Sequence, residues 1–436
     1  MKYADTILDI PNAFSLRPLA GEQLRVFYCE DTIFARNGDQ YMSPIEEIFD
    51  RCTNPSEQPD AFLLLGQRGS GKSTELNYVS ERLRACGYPV STIQCATDLN
   101  LMDADCPDLL ILMGDALIQI AKTLKCHVKP GEIERIQKFW TASEEEVEES
   151  VTEIGASVKT ELAVGTPELL KSVLELFFRM KQNLKFNAAS HRVCRNKIVN
   201  HTGIWVDMIN RLATCIQMES HGKPPILIFE DLDKMDPQKA WEMFFPYSTT
   251  LAGFPFPIIY TFPISVSYFP KYGMLEDCFN AKLFPMIRLQ IENGVIYQPG
   301  YDTIMKIVLK RADKRLFEDK ALDLLIRKTG GSLRHLFKAI NESSQRAMRR
   351  RNSVMDIEDA SAALSQIKSN LTRRIEKRHY TFLSSICAGE YTDIQDRDMM
   401  LELIQAGVVL EYVGGWHYVH PLIGDYLKEK GLIDHA

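Results

Sequence analysis

Residues Ala61–Ser73 read AFLLLGQRGSGKS, and this stretch decides the fold. Ala61–Leu65 is a short, wholly apolar run of the kind that forms a strand buried on both faces of a parallel sheet. Gly66–Ser73 matches the pattern GxxxxGK[ST] in full, and helical periodicity follows it directly. The glycines of such a loop let backbone N–H groups turn toward a phosphate, the lysine adds a positive charge, and the serine hydroxyl can bind Mg²⁺. The stretch therefore predicts a strand, a phosphate-binding loop and a helix.

Strand and helix patterns alternate along the chain outward from this loop. Fully apolar runs of five or so residues predict strands, and apolar residues at intervals of three and four predict helices. The alternation predicts an α/β fold with a parallel sheet, that of a P-loop NTPase. The predicted helices are 73–85, 108–124 and 201–218, and the predicted strands are 61–65, 88–95, 225–229, 257–265 and 286–290.

The alternation of strand and helix patterns is interrupted in three places, and these interruptions divide the chain into parts. An acidic run, EEEVEE, and an apolar helical pattern over Leu169–Leu184 interrupt the alternation and predict a helical insertion. A helical pattern with a break at Gly330–Gly331 predicts a lid. Two helical patterns and then VVLEYVGGWHYVH, a hairpin signal, outline a winged helix. The predicted parts are an N-terminal strap (1–60), the ATPase core (61–295, with the insertion at about 127–200), a helical lid (296–370) and a winged-helix-like tail (371–436).

A pair of carboxylates follows the second apolar strand. Ile226–Asp233 reads ILIFEDLD, so Glu230 and Asp231 stand where a buried strand ends. One carboxylate would hold Mg²⁺ together with Ser73, and the other would polarise the water that attacks the phosphate. The order of Glu and Asp leaves open which residue does which.

Four motifs together resemble the AAA+ and STAND-like ATPases, with a distant likeness to the origin-recognition ATPases. They are GQRGSGKST, ILIFEDLDK, IIYTFP and GGSLRHLFKAI, and the resemblance covers roughly residues 60–370. It implies that ATP and Mg²⁺ are the cofactors and that Lys72 is catalytic. The nucleotide-binding residues it implies are Gly66, Gln67, Arg68, Gly69, Ser70, Gly71, Lys72, Ser73 and Thr74.

The resemblance also implies two residues that sense the nucleotide. Thr261 matches the polar sensor on the strand beside the phosphate loop; a β-branched residue packed in the core is the alternative. Arg334 matches the lid arginine that reaches the γ-phosphate, and the preceding Gly-Gly permits the tight turn that such a lid needs.

One departure concerns the arginine finger that AAA+ rings supply across a subunit boundary. The sequence has no arginine between Arg211 and Arg288, where that residue usually stands. A lysine lacks the planar fork of the guanidinium and would substitute poorly. Hydrolysis without a finger is slower by about 10³–10⁵. The candidates for this role are Lys271, Lys282, Arg192, Arg195 and Arg288.

The composition indicates in which compartment the protein works and which partners its charge disfavours. The formal net charge of −7 provides no overall positive field to attract nucleic acid or an anionic membrane. Ten cysteines without a CxxC pair are typical of buried, free thiols in a reducing compartment. The uncharged run 243–270 contains five prolines and is not a membrane span. We expect a cytoplasmic protein without a secretory signal.

The tail favours a protein partner over DNA. Residues 371–436 hold 7 basic and 10 acidic residues, a net charge of −3, and the wing EYVGGWHY has no lysine or arginine. Trp416 and Tyr418 are candidate anchors for that partner, whereas Arg349–Arg351 of the lid could touch a phosphate backbone. We expect an ATP-hydrolysing, homo-oligomeric switch or partner regulator, by analogy in a bacterial antiviral-defence or mobile-element system. The alternative is an ATP-dependent DNA loader.

Overall fold

The computed structural model describes residues 1–32, 43–54, 60–126, 195–196, 198–291, 295–389 and 396–433. Most of the predicted insertion lies outside these residues, apart from helical residues 195–196 and 198–200. Five parallel strands form one sheet in the order β2-β3-β4-β1-β5. The strands are β1 (Ala61–Leu65), β2 (Val90–Gln94), β3 (Ile226–Glu230), β4 (Ile258–Phe262) and β5 (Asn280–Leu283).

Helices cover both faces of the sheet, as the apolar strands require. In β1, Leu63 and Leu65 pack in one hydrophobic cluster, while Phe62 and Leu64 pack in another on the opposite face. The helices up to and including the sheet region are α1 (Ile10–Ala13), α2 (Glu22–Phe27), α3 (Pro44–Thr53), α4 (Lys72–Ala85), α5 (Cys95–Asp98), α6 (Cys106–Thr123), α7 (Thr202–Glu219), α8 (Pro237–Phe244), α9 (Ser248–Ala252) and α10 (Gly273–Glu276). The chain has the α/β P-loop NTPase fold.

The C-terminal part is mainly helical and ends in a small hairpin. Strands β6 (Val409–Glu411) and β7 (His417–Val419) are antiparallel and flank Gly414 and Gly415, as the sequence predicts. The helices of this part are α11 (Gln298–Leu309), α12 (Asp319–Lys328), α13 (Leu333–Arg349), α14 (Ile357–Thr372), α15 (Tyr380–Ala388), α16 (Arg397–Gln405) and α17 (Pro421–Glu429). None of the helices that the structure describes has the length and apolarity needed to cross a bilayer.

Two sequence predictions are wrong. The strand expected over 286–290 is not formed; the fifth strand is Asn280–Leu283, and its pattern NAKL is only half-buried because β5 lies at the sheet edge. The described cysteines are free, but not all are buried. Cys86 is exposed because it follows the last turn of α4.

Gly300 allows helix α11 to pack closely on the chain before it. A Cβ at Gly300 would lie 1.7 Å from the carbonyl oxygen of Arg288, whereas a Cβ at Gly203, in α7, would meet nothing within 4 Å. We expect Gly300→Ala to lower the free energy of unfolding by about 2 kcal/mol or more, because the backbone must shift. Gly203→Ala should be neutral or stabilise by up to about 1 kcal/mol. Urea denaturation of both variants is the measurement, and equal stabilities would contradict the expectation.

Candidate functional site

The predicted phosphate loop forms the floor of a cavity of about 270 Å³. The loop joins β1 to α4, and the carboxyl ends of β2 and β3 lie on the same side of the sheet. This edge is where ligands bind in open parallel sheets. The remaining walls come from the strap (Ser15–Leu19 and Phe27–Cys29), from the first turns of α13, and from Ile307 of α11 and Arg311 after it.

The loop presents backbone donors to this cavity. Gly69 and Gly71 have positive φ angles, +91° and +103°, which turn the backbone inward. Within the described chain, no protein acceptor takes the N–H groups of Gly69, Gly71, Lys72 and Ser73. Helix α4 begins at Lys72, so its N-terminal partial charge adds to these donors. The arrangement fits a phosphate group.

Lys72 is folded back on its own loop. Its side chain is only 5% exposed, and its Nζ donates to the carbonyl oxygens of Gly66 (2.5 Å) and Gln67 (3.1 Å). The same ammonium forms an ion pair with Asp233, 2.9 Å from Oδ2. Asp233 is a site residue that the sequence analysis did not single out. The signal was present in DLDK, since a second aspartate stands two residues after the first.

Glu230 is the most buried carboxylate of the cavity. It is 1% exposed at the end of β3, in register with Gln94 of β2. Burial raises the pKa of Glu230 to about 7, although the hydroxyl of Ser73 opposes the rise. Its Oε1 is buried without a hydrogen-bond partner. A cation between Ser73 and Glu230 would give this oxygen a partner, so the residues present fit Mg²⁺.

Asp231 follows Glu230 directly, but its carboxylate has a different partner. Its φ of +73° turns the chain at the end of β3 into the short helical turn Leu232–Lys234. Its carboxylate pairs with the ammonium of Lys234 and borders the same cavity. The two carboxylates are therefore held differently, Glu230 beside Ser73 and Asp231 beside a half-exposed lysine. This difference favours Glu230 as the metal ligand.

Thr261 is not among the residues that line the cavity, and its role as a sensor stays a prediction. Its hydroxyl donates to the carbonyl oxygen of Phe229 (3.1 Å) and accepts from the N–H of Leu232 (3.1 Å). The only proton of the hydroxyl is thus donated to a neighbouring strand of the sheet. Thr261 is 1% exposed, and its hydrogen bond with Leu232 holds the turn that follows Asp231.

Arg334 does lie at the cavity, as the resemblance implies. It is exposed at the start of α13, and the site that a Cβ of Gly69 would occupy is 2.7 Å from the Cβ of Arg334. Only a glycine therefore permits this approach of lid and phosphate loop. Arg334 lines the cavity, and its contact with the γ-phosphate stays a prediction.

The candidates for an arginine finger are mostly engaged within the chain. Arg195 pairs with the buried carboxylate of Asp108, 2.6 Å away, and Lys282 pairs with Glu47. The Arg288 guanidinium lies over the Trp416 ring, 4.9 Å from its centroid. Lys271 is exposed, and Arg192 lies outside the described residues. The expectation of a weak or absent finger remains.

The tail touches the phosphate loop directly, which the sequence did not indicate. The Gln67 amide donates to the carbonyl oxygens of Ile404 (3.2 Å) and Val409 (2.7 Å), and it accepts from the N–H of Glu411 (2.9 Å). Gln67 is 5% exposed. These three bonds join the second residue of the loop to backbone atoms of α16 and β6.

A second contact joins the tail to the lid. His335 of α13 and His420 of the tail share a hydrogen bond of 3.0 Å between Nδ1 and Nε2. Burial lowers the pKa of His335 to about 4 and that of His420 well below its usual value. Both rings are therefore neutral near pH 7. The tail thus contacts both the floor and one wall of the cavity.

Residues proposed for external partners are also used internally. The Trp416 ring stacks between those of Tyr412 and Tyr418, at centroid distances of 5.0 and 5.6 Å. Within Arg349–Arg351, Arg350 pairs with Asp356 of the lid, 2.9 Å away. These contacts reduce the surface that the wing and the lid arginines offer to a partner.

No protein-family model matches this chain, and no curated protein is significantly similar to it. Solved structures with a similar fold include the ORC1 protein of Aeropyrum pernix in complex with DNA. It is 12% identical with a TM-score of 0.39, over 88% of this chain and 90% of that chain. Cdc6p of Pyrobaculum aerophilum is also 12% identical, with a TM-score of 0.40 over 97% of each chain.

A third similar structure is the Thermotoga maritima RuvB Holliday junction branch migration motor. It is 10% identical with a TM-score of 0.34, over 91% of this chain and 98% of that chain. These likenesses are of fold.

The different settings of the two carboxylates predict different effects of their removal. We expect Glu230→Gln to weaken the Mg²⁺ dependence of nucleotide binding, because the ligand beside Ser73 loses its charge. Asp231→Asn should leave ATP bound but slow its turnover, because a water-polarising group acts mainly in the transition state. Binding titrations with and without Mg²⁺, followed by steady-state ATPase assays, separate the two effects. The reverse pattern would exchange the two roles.

Proposed function

We propose that this chain binds Mg²⁺–ATP and hydrolyses it, and that the nucleotide state acts as a switch on its tail. The observation that supports hydrolysis is the convergence of an anion-binding loop, a lysine and two carboxylates on one cavity. A site that only held nucleotide would need no carboxylate placed for a water.

Each residue has a distinct task in this proposal. The free N–H groups of the loop and Lys72 bind the β- and γ-phosphates, and Lys72 exchanges its contact with Asp233 for the phosphate. Ser73 and Glu230 would hold the Mg²⁺, which neutralises phosphate charge when bound. Asp231 orients and polarises the attacking water, and Arg334 stabilises charge on the γ-phosphate from the lid.

The three hydrogen bonds of Gln67 support the switch. Gln67 lies within the loop that closes around phosphate, and its amide is shared entirely with the tail backbone. A movement of the loop on nucleotide binding therefore has to move or break these bonds. We propose that the two nucleotide states hold the tail differently and so control assembly into a homo-oligomer or docking of a protein partner. A defence or mobile-element system is the setting by analogy.

Lys72→Ala tests the hydrolytic part of the proposal. We expect ATP turnover to be lost and nucleotide affinity to fall, because the Lys72 ammonium is buried against the loop backbone, where it can meet the phosphates. Lys122→Ala is the matched control, since this lysine is exposed on α6 away from the cavity. ATPase rates are measured on variants with wild-type thermal melts. Unchanged turnover in Lys72→Ala would show that the activity does not come from this site.

Gln67→Ala tests the switch. In the wild-type chain we expect Mg²⁺–ATP to change hydrogen exchange in 404–411, where the Gln67 partners lie. In Gln67→Ala these amides should exchange faster without nucleotide and respond little to it, because the link is absent. Gln405→Ala, an exposed glutamine on α16, should behave as wild type. Exchange that is independent of nucleotide in the wild-type chain would contradict the switch, even if the chain hydrolyses ATP.

A further inference from the structure

One wall of the cavity contains a buried arginine that the proposed chemistry does not use. Arg311 follows the end of α11 and is 5% exposed, yet it borders the cavity. Burial lowers its pKa to about 10, and no described carboxylate opposes this effect. An uncompensated buried cation is costly, so this residue requires an explanation.

The hydrogen bonds of the guanidinium are incomplete. Nη1 donates to the carbonyl oxygen of Ala13 (3.2 Å) and contacts the sulfur of Met1 (3.2 Å), both from the strap. Nε is buried and has no hydrogen-bond partner. The guanidinium lies over the Phe337 ring, 4.6 Å from its centroid, which fixes its plane. One edge of the fork therefore lacks an acceptor while the other edge is held by the strap.

The position of Phe337 on α13 indicates how far Arg311 lies from the phosphate loop. Phe337 is three residues after Arg334 on α13, a rise of about 4.5 Å along the helix. Arg334 marks the phosphate end of this helix, because its Cβ approaches Gly69. Arg311 and Phe337 therefore lie one helical turn further along the wall. A nucleotide whose phosphates occupy the loop would extend its ribose and base along this wall.

The strap that closes this end of the cavity is fixed to α4. The N–H of Leu19 donates to the hydroxyl of Thr74 (3.2 Å), and the Asn77 amide donates to the carbonyl oxygen of Leu19 (2.8 Å). Tyr28 donates to the buried carboxylate of Glu75 (2.6 Å). Helix α4, which begins in the phosphate loop, therefore holds the strap in place. The phosphate loop and the strap thus line one continuous site.

We propose that Arg311 reads the base of the bound nucleotide by donating from its free edge to N7 of a purine. This inference rests on the proposed nucleotide binding and adds the residue that selects the base. Purine N7 is an acceptor with which arginine commonly pairs, and pyrimidines have no equivalent atom. The bond would satisfy the unpartnered donor edge, and the Phe337 ring would hold the guanidinium in the plane of that bond.

The test compares each purine nucleotide with an analogue that lacks N7, and both with a pyrimidine nucleotide. Equilibrium affinities of the full chain are measured for ATP and GTP, for the 7-deaza analogue of each, and for CTP. We expect the preferred purine to bind the wild-type chain about 10-fold more tightly than its 7-deaza analogue. In Arg311→Met, which keeps an apolar chain against Phe337, that difference should disappear. CTP and the 7-deaza analogues should bind both proteins equally.

Arg17→Met is the matched control, because Arg17 lines the same cavity but is exposed; it should keep the 10-fold difference. If Arg311→Met does not fold, Arg311→Leu, which also has no hydrogen-bond donor, should lose the difference instead. Equal weakening of all five nucleotides by Arg311→Met would assign Arg311 a structural role and overturn the inference. Equal binding of each purine and its 7-deaza analogue would also overturn it, while leaving the proposed function intact. Absence of all nucleotide binding would overturn both.

Discussion

The site depends on backbone N–H groups that the described chain leaves without an acceptor. At the start of α4 and in the loop before it, these donors point into a cavity, and the positive φ angles of Gly69 and Gly71 keep them there. Unpaired donors are costly when buried, so the loop can only be kept in this form next to water or an anion. Strap, acidic strand, lid and tail all pack around the loop.

Charges around the loop are balanced by different means at the two most buried charged groups. Lys72 is nearly buried, and Asp233 and two carbonyl oxygens neutralise and solvate its ammonium. Glu230 avoids the cost of a buried charge differently, since burial raises its pKa to about 7. A triphosphate with Mg²⁺ would supply both missing partners together, an anion for Lys72 and a cation for Glu230. The two requirements are complementary, which favours binding of the pair over either ion alone.

The sequence predicted what local patterns encode. The strands that begin with apolar runs, at 61–65, 226–230 and 258–262, are observed within three residues of the expected ends because both of their faces are buried. The edge strand Asn280–Leu283 was missed because a half-buried edge has no such pattern. Thr261 has the residue type and position of a sensor, but the hydroxyl has one proton, and Phe229 takes it.

Long-range contacts were the part that the sequence could not reveal. Gln67 is bonded to residues more than 330 positions away, and it contacts only their backbone atoms, so the side chains there carry no signal of the contact. Arg311 is similar in part, since one of its partners in the strap is the carbonyl oxygen of Ala13 and the other is the sulfur of Met1. Where these partners are backbone atoms, the side chains of the tail and the strap can differ without loss of the hydrogen bonds. The residues that connect the cavity to the rest of the chain are therefore recognised only from the fold, whereas the residues that face the phosphates are recognised from their motif.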